Sequence, residues 1–475
     1  MPAHGRGRAR AGEGALPAKC SGATVAGAAA GSGMKRFPAV LRALGPMPVT
    51  ALVNVLITLI GLATGTLLAR LLGPQGRGEL AAIQVWPTYL VGFAMVGLPH
   101  ALTYYCGRNP LQSGALLATA VMIGLAACVP VIALGYWLMP LLLSAQSPEL
   151  ILIARWYLLL LPVQVVCSLP YSVLQGRLQL KAWNTLRLLA PAGWLLLILS
   201  LVIFGQPSPG RLAIGFLFVL LATAVPVFIA LLRTEAGAFL PRKDLGQSLV
   251  RYGFASVLSG LPQDLNLRMD QLLMAAWLPA SVLGPYAVAV TWSNGLAPVF
   301  NAVEALVLPR LAGTVDLEKQ RADLLRNARM GAMIFLALTL PWLLLTPAAI
   351  ALLFGAPYQA VVPAAMVLVL AAGISGMSRI FEQGLRGLGL PGLVTFAELA
   401  GLALTALILP LVLVPLQALG AALVSLVSYA ATLLVLAIVI MRHARCSAAD
   451  LFVPTRGELQ AVLGRARAAL QAVGS

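Results

Sequence analysis

Charge is scarce in this sequence. Only 10% of its 475 residues are Asp, Glu, Lys or Arg, while 60% are hydrophobic. Soluble domains carry about 25% charged residues, and a chain of this size lacks the interior to hide so much apolar surface. A soluble globular protein is excluded; the class is integral membrane protein. Cysteine is scarce too. Cys20, Cys106, Cys128, Cys167 and Cys446 are scattered without CxxC spacing. That pattern gives neither a metal site nor a disulfide framework, and the five read as small packing residues. No GxSxG, Walker A or HExxH occurs, and no paired carboxylates sit on a long loop. The stretch GLRGLGLPG (384–392) reads as a helix cap and turn, not a phosphate cradle. We expect no enzyme activity and no cofactor.

Long apolar segments are what the chain has in quantity. A membrane-crossing helix needs roughly 20 apolar residues, and twelve segments qualify: 47–71, 80–106, 113–141, 152–175, 184–204, 211–232, 247–277, 283–309, 329–354, 358–381, 392–414 and 416–441. Of the 32 basic residues, 27 fall in both tails and the even-numbered connections. The opposite side holds Arg70, Arg77, Arg155 and Arg211, and Arg268 lies inside the seventh segment. Basic loops stay in the cytoplasm, so both termini are expected there. The net charge of +17 is thus an orientation signal, and no nucleic-acid partner is expected.

Residues 1–45 form a basic tail, poor in apolar runs and expected to be disordered. Met34 is an alternative start that we expect to be the true one. In the tail at 443–475, Leu459, Val462, Leu463, Ala466, Leu470 and Val473 recur at helical spacing. The reading there is an amphipathic helix on the membrane face, or else a solvated tail.

A repeat links the two halves. LLARLLGPQGRGELAAIQVWPTYL (67–90) and LMAAWLPASVLGPYAVAVTWSNGL (273–296) match at an offset of 206, including Gly78/Gly284 and Trp86/Trp292. It predicts two six-helix lobes, 46–240 and 241–442. Six is even, so both enter the membrane with the same polarity, as in parallel-repeat transporters whose substrate path runs between the halves.

A charge at mid-membrane costs about 2.5–3.5 kcal/mol on insertion scales. Asp264, Arg268, Asp270, Glu304 and Glu398 nevertheless lie within predicted spans, three of them in the seventh. Asp264 and Arg268 are spaced for an i, i+4 pair, as are Asn266 and Asp270 on a nearly opposite face. A span polar on two faces belongs inside the bundle. Its charges either glue it to its neighbours or line a water-filled cavity. Arg310 is the expected partner of Glu304. Glu398 is expected at an interface, and Arg379, Glu382 and Arg386 in a mouth cluster. His100 reads as a packing residue.

The segment LARLLGPQGRGELA (68–81), with Leu72, Gly73, Pro74 and Gly78, resembles the O-antigen and exopolysaccharide flippases. These belong to the multidrug/oligosaccharidyl-lipid/polysaccharide exporter superfamily. Arg268-x-Asp270, LGPYAVA (283–289) and LPRLAG (308–313) are similar to segments of the same family. The resemblance covers about 46–442. It implies an all-α membrane protein whose two six-helix lobes form a V around a central cavity. It further implies alternating access that carries a polyprenyl-diphosphate-linked oligosaccharide across a bacterial inner membrane. Implied partners are that lipid-linked oligosaccharide, membrane lipids, a polysaccharide polymerase and a chain-length regulator. On this reading Arg268 contacts the diphosphate or a sugar acid, with Asp264 as its positioning partner. Asn54 and Asn294 contact sugar, and Asp270 and Glu304 are proton or cation sites. A multidrug/cation antiporter of the same fold is the nearest rival. A membrane glycosyltransferase or ligase is a further one.

Overall fold

The computed structural model describes residues 46–205, 207–233, 237–312, 316–458 and 460. The N-terminal tail and nearly all of the amphipathic segment near 457–473 lie outside them. Every regular element among the described residues is a helix. Eight helical stretches are long and apolar enough to cross a membrane. Two exceed any single crossing: α1 (Pro46–Met95) and, near the other end of the chain, a helix over Pro391–Ala444. A straight 50-residue helix would run about 75 Å, against a hydrocarbon core of roughly 30 Å. Each is therefore interrupted, α1 at Gly73 (φ 66°) and the later helix at Gln417 (φ 45°). Glycine reaches that left-handed region freely, and Pro74 suits the first turn beyond it. Gln417 is a strained exception between Pro415 and the final crossing.

Local chemistry sets several other boundaries. After α2 (Leu98–Arg108) and α3 (Ser113–Leu142), helix α4 (Pro148–Tyr157) starts at a Ser-Pro pair. Ser147 Oγ accepts from the Leu150 amide at 3.3 Å, and Pro148 occupies a position needing no amide donor. Ser208 and Pro209 repeat the device at α8 (Pro209–Leu232). Between them lie α5 (Leu160–Gly176), α6 (Leu180–Arg187) and α7 (Leu189–Phe204). The fourth and fifth predicted spans are thus each two helices. The seventh is likewise α9 (Lys243–Asn266) plus α10 (Met269–Trp277). The eighth is α11 (Ala280–Ser293) plus α12 (Ala297–Ala312), joined by a 3-10 turn at Asn294–Leu296. Helices α13 (Leu317–Ala349), α14 (Val362–Gly387), α15 (Pro391–Ala444) and the short α16 (Ala448–Phe452) complete the chain.

The first and second halves of the sequence pack directly on one another. Around Gly73 the backbones of α1 and α11 touch. A Cβ at position 78 would stand 1.8 Å from the Ala280 carbonyl oxygen, and one at 284 would stand 1.9 Å from that of Pro74. Close by, the Arg70 guanidinium donates through Nε to the Leu353 carbonyl at 2.7 Å and through a terminal nitrogen to that of Leu352. Those carbonyls are available because the π-turn Ile350–Phe354 is the last before the helix ends at Gly355. The Tyr358 hydroxyl donates to the Ala69 carbonyl at 2.8 Å. The Gln146 side chain caps α10, donating to the carbonyls of Ala275 (3.1 Å) and Leu278 (2.9 Å). At the basic-loop end, Tyr104 stacks on Tyr252 with ring centroids 4.6 Å apart. There the segment after α15 straps onto α13: Arg329 grips the Glu458 carboxylate with two bonds of 2.8 Å and donates to the Asp450 carbonyl.

Candidate functional site

The seventh predicted span carries three of the five intramembrane charges, and the structure breaks it among them. Pro262 offers no amide to the preceding turn of α9. Four residues later the helix ends, with Leu267 and Arg268 in a turn before α10. The Arg268 amide bonds the Leu265 carbonyl at 3.1 Å, a tightened turn. The two expected i, i+4 pairings assumed an unbroken helix, and neither forms. No ion pair joins Asp264 to Arg268 among the described residues, and both side chains are exposed. They stand within electrostatic reach of Tyr89 on α1, so this face looks toward the first half of the chain.

The other face of the break is closed. Asn266 is 4% exposed, and its Oδ1 accepts from Thr405 (2.7 Å) and Ser428 (3.1 Å) on α15, not from a pairing with Asp270. Asp270 accepts from the Tyr286 hydroxyl and, at 2.7 Å, from the Gln271 amide. It is therefore enclosed between α10 and α11. Both results have one cause: the break turns α10 relative to α9, so residues four apart no longer share a face.

A second polar group gathers on α9, α14 and α15. The Gln263 amide donates to both Glu382 oxygens at 3.3 and 3.2 Å. Arg386 approaches the same carboxylate at 3.4 Å. Glu398 lines the same pocket as Glu382. Glu382 and Glu398 are 1% and 6% exposed. A small, partly open polar pocket lies here, lined by Gln263, Asn266, Ser378, Glu382, Glu398 and Tyr429. Sequence reasoning placed Glu398 at an interface and Glu382 at a mouth. The missed signal is that both stand about equally far from the turn at Gly389, so antiparallel helices bring them to one depth.

The remaining candidates scatter. Glu304 on α12 accepts from Gln383 Nε2 at 2.9 Å and lies 3.9 Å from Arg379. Those two take the place expected for Arg310, whose side chain is outside the described set. Asn294 sits exposed in the 3-10 turn between α11 and α12. Asn54, in the first half of α1, accepts from Arg187 at 3.2 Å. The structure therefore leaves Asp264 and Arg268 unpaired on the side facing Tyr89, and Asn54, Asn294, Asp270 and Glu304 in separate surroundings. No group of three metal-ligating side chains occurs among the described residues.

This architecture is that of a multi-pass helical membrane protein with the fold of a transporter superfamily. The structure of "Lipid II flippase MurJ, inward closed conformation" aligns with a TM-score of 0.66 at 11% identity, over 85% of this chain and 89% of that one. An inward-facing multidrug resistance MATE family transporter of the MOP superfamily aligns at 0.63 and 16% identity, over 84% and 100%. A MOP superfamily transporter from Pyrococcus furiosus aligns at 0.57 and 15%, over 85% and 95%. No curated protein sequence matches. The chain belongs to the polysaccharide biosynthesis protein family, whose model matches residues 47–315.

Proposed function

We propose that this protein moves a polyprenyl-diphosphate-linked oligosaccharide across a bacterial inner membrane by alternating access. The substrate is a repeat unit of O-antigen, capsule or exopolysaccharide. The observation that carries the reading is the exposed, mutually unpaired Asp264 and Arg268 at the broken seventh span, beside Tyr89. Intramembrane charges left unneutralised are costly and mark hydrated pathways. The family supplies the polysaccharide context. The two lobes are 46–240 and 241–442, and the basic-loop end faces the cytoplasm. Arg268 meets the diphosphate, Asp264 orients it, and Asn54 and Asn294 contact sugar. Glu304 is an ion-coupling candidate, now joined by Glu382 and Glu398. Asp270, held by Tyr286, can exchange an ion only when α10 and α11 part. A polymerase and a chain-length regulator would receive the product.

Complementation of a deletion strain tests the reading. Arg268→Ala should abolish surface polysaccharide while leaving the amount of membrane-inserted protein unchanged. Normal polysaccharide in that strain removes Arg268 from the mechanism. The two buried carboxyls Glu382 and Glu398, lining one pocket, favour a second reading, a cation-coupled multidrug exporter. Drug hypersensitivity of the deletion strain, with normal polysaccharide, would select it instead.

A further inference from the structure

The first-half helices contain a polar ladder that the charged seventh span does not use. On α1, Thr50 and Asn54 are one turn apart; on α6, so are Asn184 and Arg187. Such spacings place each pair on one helix face. The rungs meet: Asn184 Nδ2 donates to Thr50 Oγ1 at 2.8 Å, and Arg187 donates to Asn54 Oδ1 at 3.2 Å. The Trp183 ring lies under the guanidinium, 4.2 Å from its central carbon to the ring centroid.

Two polar atoms are left over. One terminal nitrogen of Arg187 and Oδ1 of Asn184 are buried and have no hydrogen-bond partner among the described residues. Asn184 as a whole is only 2% exposed. Burying an unsatisfied donor or acceptor is costly, and more so for a charged group. The two orphans are complementary in kind: a cationic donor calls for an anionic oxygen, and an amide oxygen calls for a hydroxyl. Phosphate oxygens are the acceptors that a planar guanidinium holds best. Lys181, exposed one turn before Asn184, adds positive charge on the same helix.

We infer that Thr50, Asn54, Trp183, Asn184 and Arg187 form a phosphosugar-binding site at the basic-loop end of the first half. Arg187 takes a phosphate oxygen and Asn184 takes a sugar hydroxyl. The inference rests on the lipid-linked saccharide reading and deepens it, because it puts a second contact point far in sequence from Arg268. Asn54 aims the guanidinium through its Oδ1, in addition to the sugar contact proposed above.

The test is binding to the full chain in detergent, followed by intrinsic tryptophan fluorescence. Three probes are titrated: a short-chain polyprenyl diphosphate bearing one N-acetylglucosamine, the same lipid without sugar, and inorganic pyrophosphate. The sugar-bearing lipid should bind wild type best. Arg187→Gln should weaken both lipids by about tenfold or more, in line with loss of a charge-assisted bond. Arg187→Lys, which keeps the cation and loses the fork, should fall between; it also serves should the Gln variant fail to fold. Asn184→Ala should weaken the sugar-bearing lipid alone. Wild-type affinity in both Arg187 variants overturns the site while the substrate reading stands. Equal loss for both lipids in Asn184→Ala overturns it in favour of a plain phosphate contact. A wild type that binds neither lipid overturns the substrate reading, and this inference with it.

Discussion

Gly78 and Gly284 make the same contact in reverse. Gly78 of α1 lies against the backbone of Ala280, four residues before Gly284; Gly284 of α11 lies against that of Pro74, four residues before Gly78. Reciprocity of this kind is what a two-fold axis imposes on a self-matching surface. The contact is built from a small residue or proline and a glycine four positions on, from each helix. That is how membrane helices bring backbones close when lipid offers no hydrophobic drive to associate.

Alanine at either position should therefore act strongly. The atoms a new methyl would meet are backbone, which cannot swing aside. Gly78→Ala and Gly284→Ala should each lower stability by about 1–3 kcal/mol, the usual cost of overpacking. The double variant should lose less than the sum, because the two share one crossing. Thermal unfolding in detergent reads all three; unchanged midpoints would refute the close approach.

Arg70 ties the same region to the π-turn at Ile350–Phe354. Arg70→Ala removes donors from two carbonyls and should loosen this end of the bundle. In a background without native cysteines, thiol labelling of Ala280→Cys should become several-fold faster. A rate equal to that of the Arg70 parent would mean that the tie does not restrain opening.

Glu382 answers to Gln263 and Arg386 together. Glu382→Gln retains a side chain able to bond its neighbours and should fold nearly as well as wild type. Glu382→Leu leaves those buried partners unsatisfied and should cost about 1–3 kcal/mol or more. Comparing the two by urea or thermal denaturation separates hydrogen bonding from volume. Equal loss in both would deny the network its structural part.

The C-terminal strap should be acid-labile. The Arg329 guanidinium bonded to Glu458 holds that carboxyl down to about 2, from an ordinary value near 4.5. A depressed carboxylate stabilises the folded arrangement above its unfolded value, and the benefit fades as pH falls from there toward 2. Hydrogen exchange in 448–458 should stay slow from pH 7 to about pH 5 and rise below it, after correction for intrinsic rates. Glu458→Gln should show the fast rate throughout. A strap equally protected at pH 3 and pH 7 would disprove the linkage.

Much of the fold was legible because its causes are local. Apolar run length gave the all-helical membrane class, and the gap between the first two apolar segments, 72–79, holds the break in α1 at Gly73. Ser-Pro pairs at 147 and 208 start helices by an equally local device, though the sequence reading began those spans at 152 and 211. The site was less legible. Asp264 and Arg268 were found as unusual charges, but their i, i+4 pairing presumed a straight helix that the structure does not keep. Glu382 and Glu398 were read as separate interfacial residues, and Arg187 was counted only as a topology signal. These errors concern partners, a helix break and depth in the bundle, none of which a linear pattern encodes.

Sequence by itself determined which stretches are helical and apolar, and that Gly78 and Gly284 occupy matching places in two halves. Hydropathy, glycine and proline act on the chain within a few residues, so a linear reading captures them. Only tertiary structure decided that those two glycines cross, that two carboxyls line one pocket across a hairpin, and that an arginine on α6 reaches an asparagine on α1. Side-chain bonds act over a few ångströms, and which residues come that close depends on helix neighbours and rotation, set by packing of the whole bundle.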